Sequence, residues 1–257
     1  PYCYEDLKVR WDLLEQVIAL ISSYGFKIIL DFHNGSGTGT ENMDSIGFLG
    51  SQAWINDWRS MASKYKDDTR ILAFELFSEP WVGGDRGAPL WDLSWMTAGH
   101  YPDVLEAYAR CSDAIWEIDS SRLVIWGDPD ECAFVPPYGW YHDALNAYVG
   151  SKYVSNMVFD FHRYNAGFAD YAFIIDRLSN AMSWVQSKGF NVWLGEVGFD
   201  GISITDADAT YIQDMVKRYM ERNWGFSVWS YSYRPDLYDN ILRVAIPPAT
   251  YTLTTDS

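Results

Sequence analysis

Residues 71–80 read Ile-Leu-Ala-Phe-Glu-Leu-Phe-Ser-Glu-Pro. The run 71–77 is short and mostly apolar on both faces, as a parallel strand covered on both sides should be. It stops at Ser78-Glu79-Pro80-Trp81, and a buried strand does not end in a charge without a reason. Five other segments have the same character: 27–32, 123–126, 157–161, 191–194 and 226–230. Helical patterns lie between them. Residues 11–24 place Leu14, Val17, Ile18 and Ile21 on one stripe, and Gly25 suits the C-terminal cap. Residues 52–66 repeat the pattern with Trp54, Trp58, Met61 and Tyr65, and 104–118 with Leu105, Tyr108, Ile115 and Trp116. Residues 173–187 precede a stop at Gly189, and 206–222 open on an acidic first turn that complements the helix dipole.

The last three strand-to-strand intervals are each about 35 residues, the size of a βα unit. The earlier intervals are longer, and long segments follow the strands, at 34–50, 81–102 and 128–155. In a TIM (β/α)8 barrel those are the loops of the C-terminal face, where function sits. The expected fold is therefore an α/β barrel forming a single catalytic domain over 1–257. Six strands are legible rather than eight, and the chain opens on a helix, so the first two βα units are expected upstream or on a separate fragment. A doubly wound sheet also accommodates six strands, but no Gly-rich phosphate fingerprint follows any of them.

Composition narrows the function. Lys and Arg number 19 against 35 Asp and Glu, a net charge of −16, which disfavours nucleic acid and anionic membranes because both are bound by neutralising phosphate charge. No apolar run reaches the roughly 18 residues of a membrane span. Aromatic residues make up 17% of the chain, enough to supply both a core and flat faces for an uncharged partner such as a sugar. The three cysteines, Cys3, Cys111 and Cys132, allow at most one internal disulfide and form no C-x-x-C zinc spacing.

The strand ends carry the chemistry. They read Asp31-Phe32-His33-Asn34, Ser78-Glu79-Pro80-Trp81, His162-Arg163-Tyr164, Gly195-Glu196-Val197-Gly198 and Val228-Trp229-Ser230-Tyr231. In a barrel such ends converge on one pocket. Two carboxylates flanking a glycosidic bond can divide the work, one protonating the leaving oxygen while the other attacks the anomeric carbon. Glu79 and Glu196 are the expected pair.

The pieces LDFHN, ILAFELFSEP, FDFHRY, VWLGEVGF and GFSVWSY, in that order, resemble clan A glycoside hydrolases, and most closely glycoside hydrolase family 5, the cellulase and mannanase family. The resemblance implies Glu79 as general acid/base and Glu196 as nucleophile of a retaining double displacement, with carboxyl groups about 5–5.5 Å apart. It further implies that His162 sits near the acid/base, Tyr164 near the nucleophile, His33 on the sugar at the cleavage subsite and Trp229 beneath it. Trp81, directly after the acid/base turn, is expected at a sugar subsite. Ser78 departs from the family: an Asn there donates to the sugar 2-hydroxyl, and the shorter Ser reaches it less well. The family's early-strand Arg, which supports the nucleophile, has no clear counterpart.

These readings imply a secreted endo-β-1,4-glucanase acting on β-glucan, with no cofactor, no catalytic metal, and neither nucleic acid nor membrane as partner. β-Mannanase, β-1,3-glucanase and a glycan-binding barrel that has lost turnover are the alternatives. Further modules, or an N-terminal segment completing the barrel, are the expected partners in the polypeptide.

Overall fold

The computed structural model describes residues 11–33, 49–78, 100–127, 145–165, 171–199 and 206–229. The chain forms two compact units, one of Pro1–Phe159 with Lys188–Asn191, the other of Asp160–Ser187 with Val192–Ser257.

The first unit contains helix α1 (Trp11–Ser23), strand β1 (Ile28–His33), α2 (Gln52–Tyr65), β2 (Ile71–Ser78), α3 (His100–Trp116), β3 (Leu123–Gly127) and the start of β4 (Met157–Asn165). Strands β1, β2 and β3 lie side by side in chain order and all parallel. The Val124 N–H donates to the Asn156 carbonyl at 2.9 Å, joining β3 to the residue before β4. Each parallel step needs a crossover, and the intervening helices supply it.

Local sequence explains the element ends. Gly25 and Gly189 follow α1 and the helix Tyr171–Ser187 with φ of +84° and +95°, a left-handed turn that stops a helix at little cost only in glycine. Ser51 caps α2, its hydroxyl accepting from the Trp54 N–H at 3.2 Å. Three residues of the expected α2 stripe, Trp54, Trp58 and Tyr65, are in the core as their spacing predicts, whereas Met61 is half-buried and its neighbour Ala62 is buried instead. Trp58 lies 5.4 Å from the Phe74 ring and donates its indole N–H to the Leu76 carbonyl at 3.2 Å, tying α2 to β2.

Arg122 locks the base of this unit. Its guanidinium is 7% exposed, pairs with Asp119 at 3.0 Å, and donates to the Tyr65 carbonyl at 2.6 Å and to the Ile71 carbonyl. It thus closes off backbone groups at the end of α2 and the start of β2 that would otherwise be orphaned. Aromatic rings fill the space beside β3: Trp126 lies 5.8 Å from Tyr108, 5.4 Å from Tyr148 and 5.6 Å from Tyr153. Burial pushes the Tyr148 and Tyr153 hydroxyls up to about 12, helped by the charges of Glu106 and Asp113 respectively. Much of the aromatic content is therefore core. The loop aromatics Trp81, Trp91, Trp95, Tyr138 and Trp140 lie outside the described residues.

Helix α1 corrects the expected stripe. Ile18 is buried at 1% exposure, but Val17 and Ile21 are 42% and 36% exposed. The helix is apolar on both sides, so its period marks two candidate faces, and only that of Ile18 is covered.

The second unit contains β4 from Asp160, α4 (Tyr171–Ser187), β5 (Asn191–Phe199, from Val192), α5 (Asp206–Glu221) and β6 (Gly225–Trp229). Again sequence neighbours are sheet neighbours, β4 beside β5 and β5 beside β6, the latter pair parallel. The Arg218–Asp176 ion pair links α5 to α4, and the Trp224 indole donates to Gln186 at 3.0 Å. Both units thus repeat parallel strands joined by helices, as a (β/α) barrel sequence predicts.

Candidate active site

In the first unit the relevant ends are those of β1 and β2. His33 and Ser78 are register partners, so the two strands finish together. The ladder is irregular just before this point. Between the pairs Asp31↔Glu75 and His33↔Ser78, β2 uses two residues, Leu76 and Phe77, where β1 uses one. Such a bulge re-aims the residues that follow it. Two neighbours hold the Phe77 carbonyl: the Tyr108 hydroxyl donates to it at 3.0 Å, and Gly127 at the end of β3 lies so close that an added Cβ would come within 2.5 Å of that oxygen. The ring of Phe77 stands 5.4 Å from that of Phe32. Ser78 is buried at 2% exposure. Glu79 and Trp81, placed by sequence at the acid/base turn, lie outside the described residues.

The second unit holds the other carboxylate. Glu196 sits on β5, and its Oε2 faces His162 Nδ1 on β4 at 3.6 Å. The His162 ring is almost fully buried, and its Nε2 lies 3.2 Å from Oδ2 of Asp160, which has no exposed surface. The other Asp160 oxygen accepts from the Gly195 N–H at 2.6 Å. A carboxylate this deeply buried is costly unless hydrogen-bonded, and it receives one backbone and one ring donor here. The order Asp160–His162–Glu196 leaves the imidazole held on one side with its second nitrogen turned to the glutamate. Tyr164 lies two residues beyond His162 on β4, and Trp229 closes β6 as the register partner of Gly198, two residues past Glu196.

Sequence analysis missed Asp160. It lies in the quoted piece FDFHRY, two residues before His162 and therefore on the same face of the strand. A charge within a run otherwise built of Met157, Val158, Phe159 and Phe161 is the signal that marks it.

The family is decided by comparison. The model of the cellulase family, glycosyl hydrolase family 5, matches residues 6–235. The chain belongs to glycosyl hydrolase family 5. Among curated proteins it is similar to an endoglucanase of Paenibacillus polymyxa, 22% identical over 233 residues that cover 85% of this chain and 56% of that protein. It is also similar to endoglucanase G of Acetivibrio thermocellus, 26% identical over 134 residues, 47% of this chain and 23% of the relative. The chain thus matches less than two thirds of the length of either relative. Its fold is that of solved family 5 barrels. A hyperthermophilic endocellulase of Pyrococcus horikoshii superposes with a TM-score of 0.63 at 18% identity, over 91% of this chain and 73% of that one. An endo-β-1,4-glucanase of Xanthomonas axonopodis pv. citri gives 0.60 at 21% identity, over 86% and 68%. The (β/α) barrel expected from residues 71–80 and their surroundings is the fold of this family, and glycoside hydrolysis is its chemistry.

Proposed function

We propose that this chain acts as a retaining endo-β-1,4-glucanase, with Glu196 as nucleophile and Glu79 as general acid/base. The observation that carries the proposal is the setting of Glu196: a carboxylate at the β5 bulge, 14% exposed, facing a buried histidine at 3.6 Å that a second carboxylate holds from behind. A nucleophilic carboxylate must be fixed in direction, and the buried, oriented ring beside it favours that. In this reading Glu196 attacks the anomeric carbon while Glu79 protonates the departing oxygen; Glu79 then takes a proton from the water that releases the glycosyl-enzyme. Tyr164 steadies the Glu196 charge, and His33 and Trp229 hold the sugar at the cleavage point, with Trp81 at a neighbouring subsite.

The choice of β-1,4-glucan follows the names of the relatives, both endoglucanases, and a structural neighbour solved with cellopentaose. A polymeric substrate and a net charge of −16 fit an enzyme working outside the cell. No described helix is long and apolar enough to cross a membrane.

The test is reducing-sugar release from carboxymethyl-cellulose, mannan and lichenan, with Glu196→Gln as control. Release from the glucans that vanishes in the variant supports the proposal; preferential release from mannan reassigns the substrate. Binding without release from any polymer supports a second reading, a glycan-binding barrel without turnover. One observation favours that reading: Ser78 stands where the family carries a sugar-contacting Asn, and at 2% exposure its hydroxyl is withdrawn into the protein.

A further inference from the structure

We infer that Asp160 is a positioning residue: it aims Glu196 by pinning a bulge in β5, and Gly195 is the counterpart that makes room for it. The inference rests on the reading of Glu196 as nucleophile.

Between the register pairs Leu194↔Phe226 and Val197↔Val228, strand β5 places two residues, Gly195 and Glu196, where β6 has Ser227 alone. A bulge leaves backbone groups outside the ladder, and those groups need other partners. Gly195 has one on each side. Its N–H donates to Asp160 Oδ1 at 2.6 Å, a charge-assisted bond, and its carbonyl accepts from the Ser227 hydroxyl. Gly195, the residue before Glu196, is therefore clamped from both neighbouring strands. The second oxygen of Asp160 lies 3.2 Å from His162 Nε2, so the same carboxylate orients the ring whose Nδ1 faces Glu196. One buried side chain thereby sets two things beside the nucleophile: the residue before it and the imidazole next to it.

The fit requires glycine at 195. A Cβ there would stand 2.2 and 2.5 Å from the two Asp160 oxygens, closer than any real contact. Only residue 195 without a side chain lets the carboxylate reach the N–H. The residues Asp160, His162, Gly195, Glu196 and Ser227 thus form one cooperative arrangement inside the second unit.

Asp160→Asn separates the roles. It keeps the shape and a carbonyl oxygen for the Gly195 N–H but turns an amide N–H toward His162 Nε2. The ring must then accept at Nε2, and its proton moves to Nδ1. Two readouts follow this change in the full chain: 15N NMR of the histidine ring nitrogens, with His162→Gln assigning the signal among four histidines, and steady-state kinetics on a soluble β-glucan. The expected result is a proton on Nε2 in the wild type and on Nδ1 in Asp160→Asn, with kcat lower by about 10- to 100-fold and KM nearly unchanged, the pattern of a lost orienting partner. An unchanged ring tautomer, or an unchanged kcat with an altered tautomer, overturns the inference. If Asp160→Asn does not fold, Ser227→Ala reads the other side of the clamp: kcat falls about 2- to 10-fold at constant KM, and full activity overturns the pinned bulge. If the wild type hydrolyses no glucan, the nucleophile reading falls, and the NMR comparison still upholds or overturns the grip of Asp160 on His162.

Discussion

Gly127→Ala should damage the protein out of proportion to the one methyl group it adds. The new Cβ would lie 2.5 Å from the Phe77 carbonyl oxygen, whereas real Cβ atoms essentially never come within 3.0 Å of a neighbour. Strands β2 and β3 must therefore separate locally by at least about half an ångström. The obstacle is backbone on both sides, so no side chain can swing away to relieve it. The Tyr108 hydroxyl bond to the same carbonyl, 3.0 Å long, is strained as well. Overpacking of this kind costs about 1–3 kcal/mol, and loss of the hydroxyl bond adds about 1 kcal/mol. A destabilisation of roughly 2–4 kcal/mol is expected, measured as a lowered urea midpoint at constant m-value. The functional effect should exceed the stability effect. Phe77 precedes Glu79, the proposed acid/base, by two residues, and displacement of a catalytic group by about 1 Å can cost 100-fold in rate. Activity assayed well below the unfolding transition should therefore fall with the fold intact. An unfolding midpoint equal to that of the wild type would refute the close approach of Gly127 to β2.

Three other outcomes follow from the structure. Arg122→Met leaves the buried Asp119 without its cation and frees the Tyr65 and Ile71 carbonyls, so thermal unfolding should report a loss of about 3–5 kcal/mol. Hydrogen bonds from Arg70 hold the Asp68 carboxyl below its ordinary 3.8, so its stabilising effect is present above that value and fades as pH falls through the lower folded value. Asp68→Asn should accordingly be less stable at neutral pH, and the gap between the two proteins should narrow in acid denaturation profiles as pH falls below 3.8. Burial pushes the Cys111 thiol well above its usual range, so peptide mapping after alkylation at pH 8 should find it unmodified in the native protein and modified only after unfolding.

The strands were legible because parallel strands covered on both faces leave a plain mark, a short apolar run with abrupt polar ends. All six runs are strands, and Met157–Asn165 and Asn191–Phe199 continue past their apolar portions into the residues that carry the site. Those extensions were not legible because His162, Arg163 and Tyr164 look like a loop when hydropathy alone is read. The stripe of α2 was legible, since its aromatic residues recur on one side only; that of α1 was not, because apolar residues on two sides do not say which side is covered. Within the site, the resemblance set His162 near the acid/base, and its 3.6 Å approach to Glu196 was not foreseen. Asp160 carried a local mark, a charge within an apolar run, whereas the β5 bulge depends on register between strands distant in sequence, which no local pattern encodes.

The central claim is that Glu196 forms a covalent bond to the sugar. The most direct measurement is to incubate the full chain with a 2-deoxy-2-fluoro cellobioside bearing a good leaving group, whose glycosyl-enzyme breaks down slowly, and to map the labelled peptide by mass spectrometry. The account predicts a single added 2-deoxy-2-fluorocellobiosyl mass on the peptide containing Gly195-Glu196-Val197, absent in Glu196→Gln. Label on a different carboxylate, or hydrolysis of β-glucan that proceeds in Glu196→Gln at the wild-type rate, would contradict it.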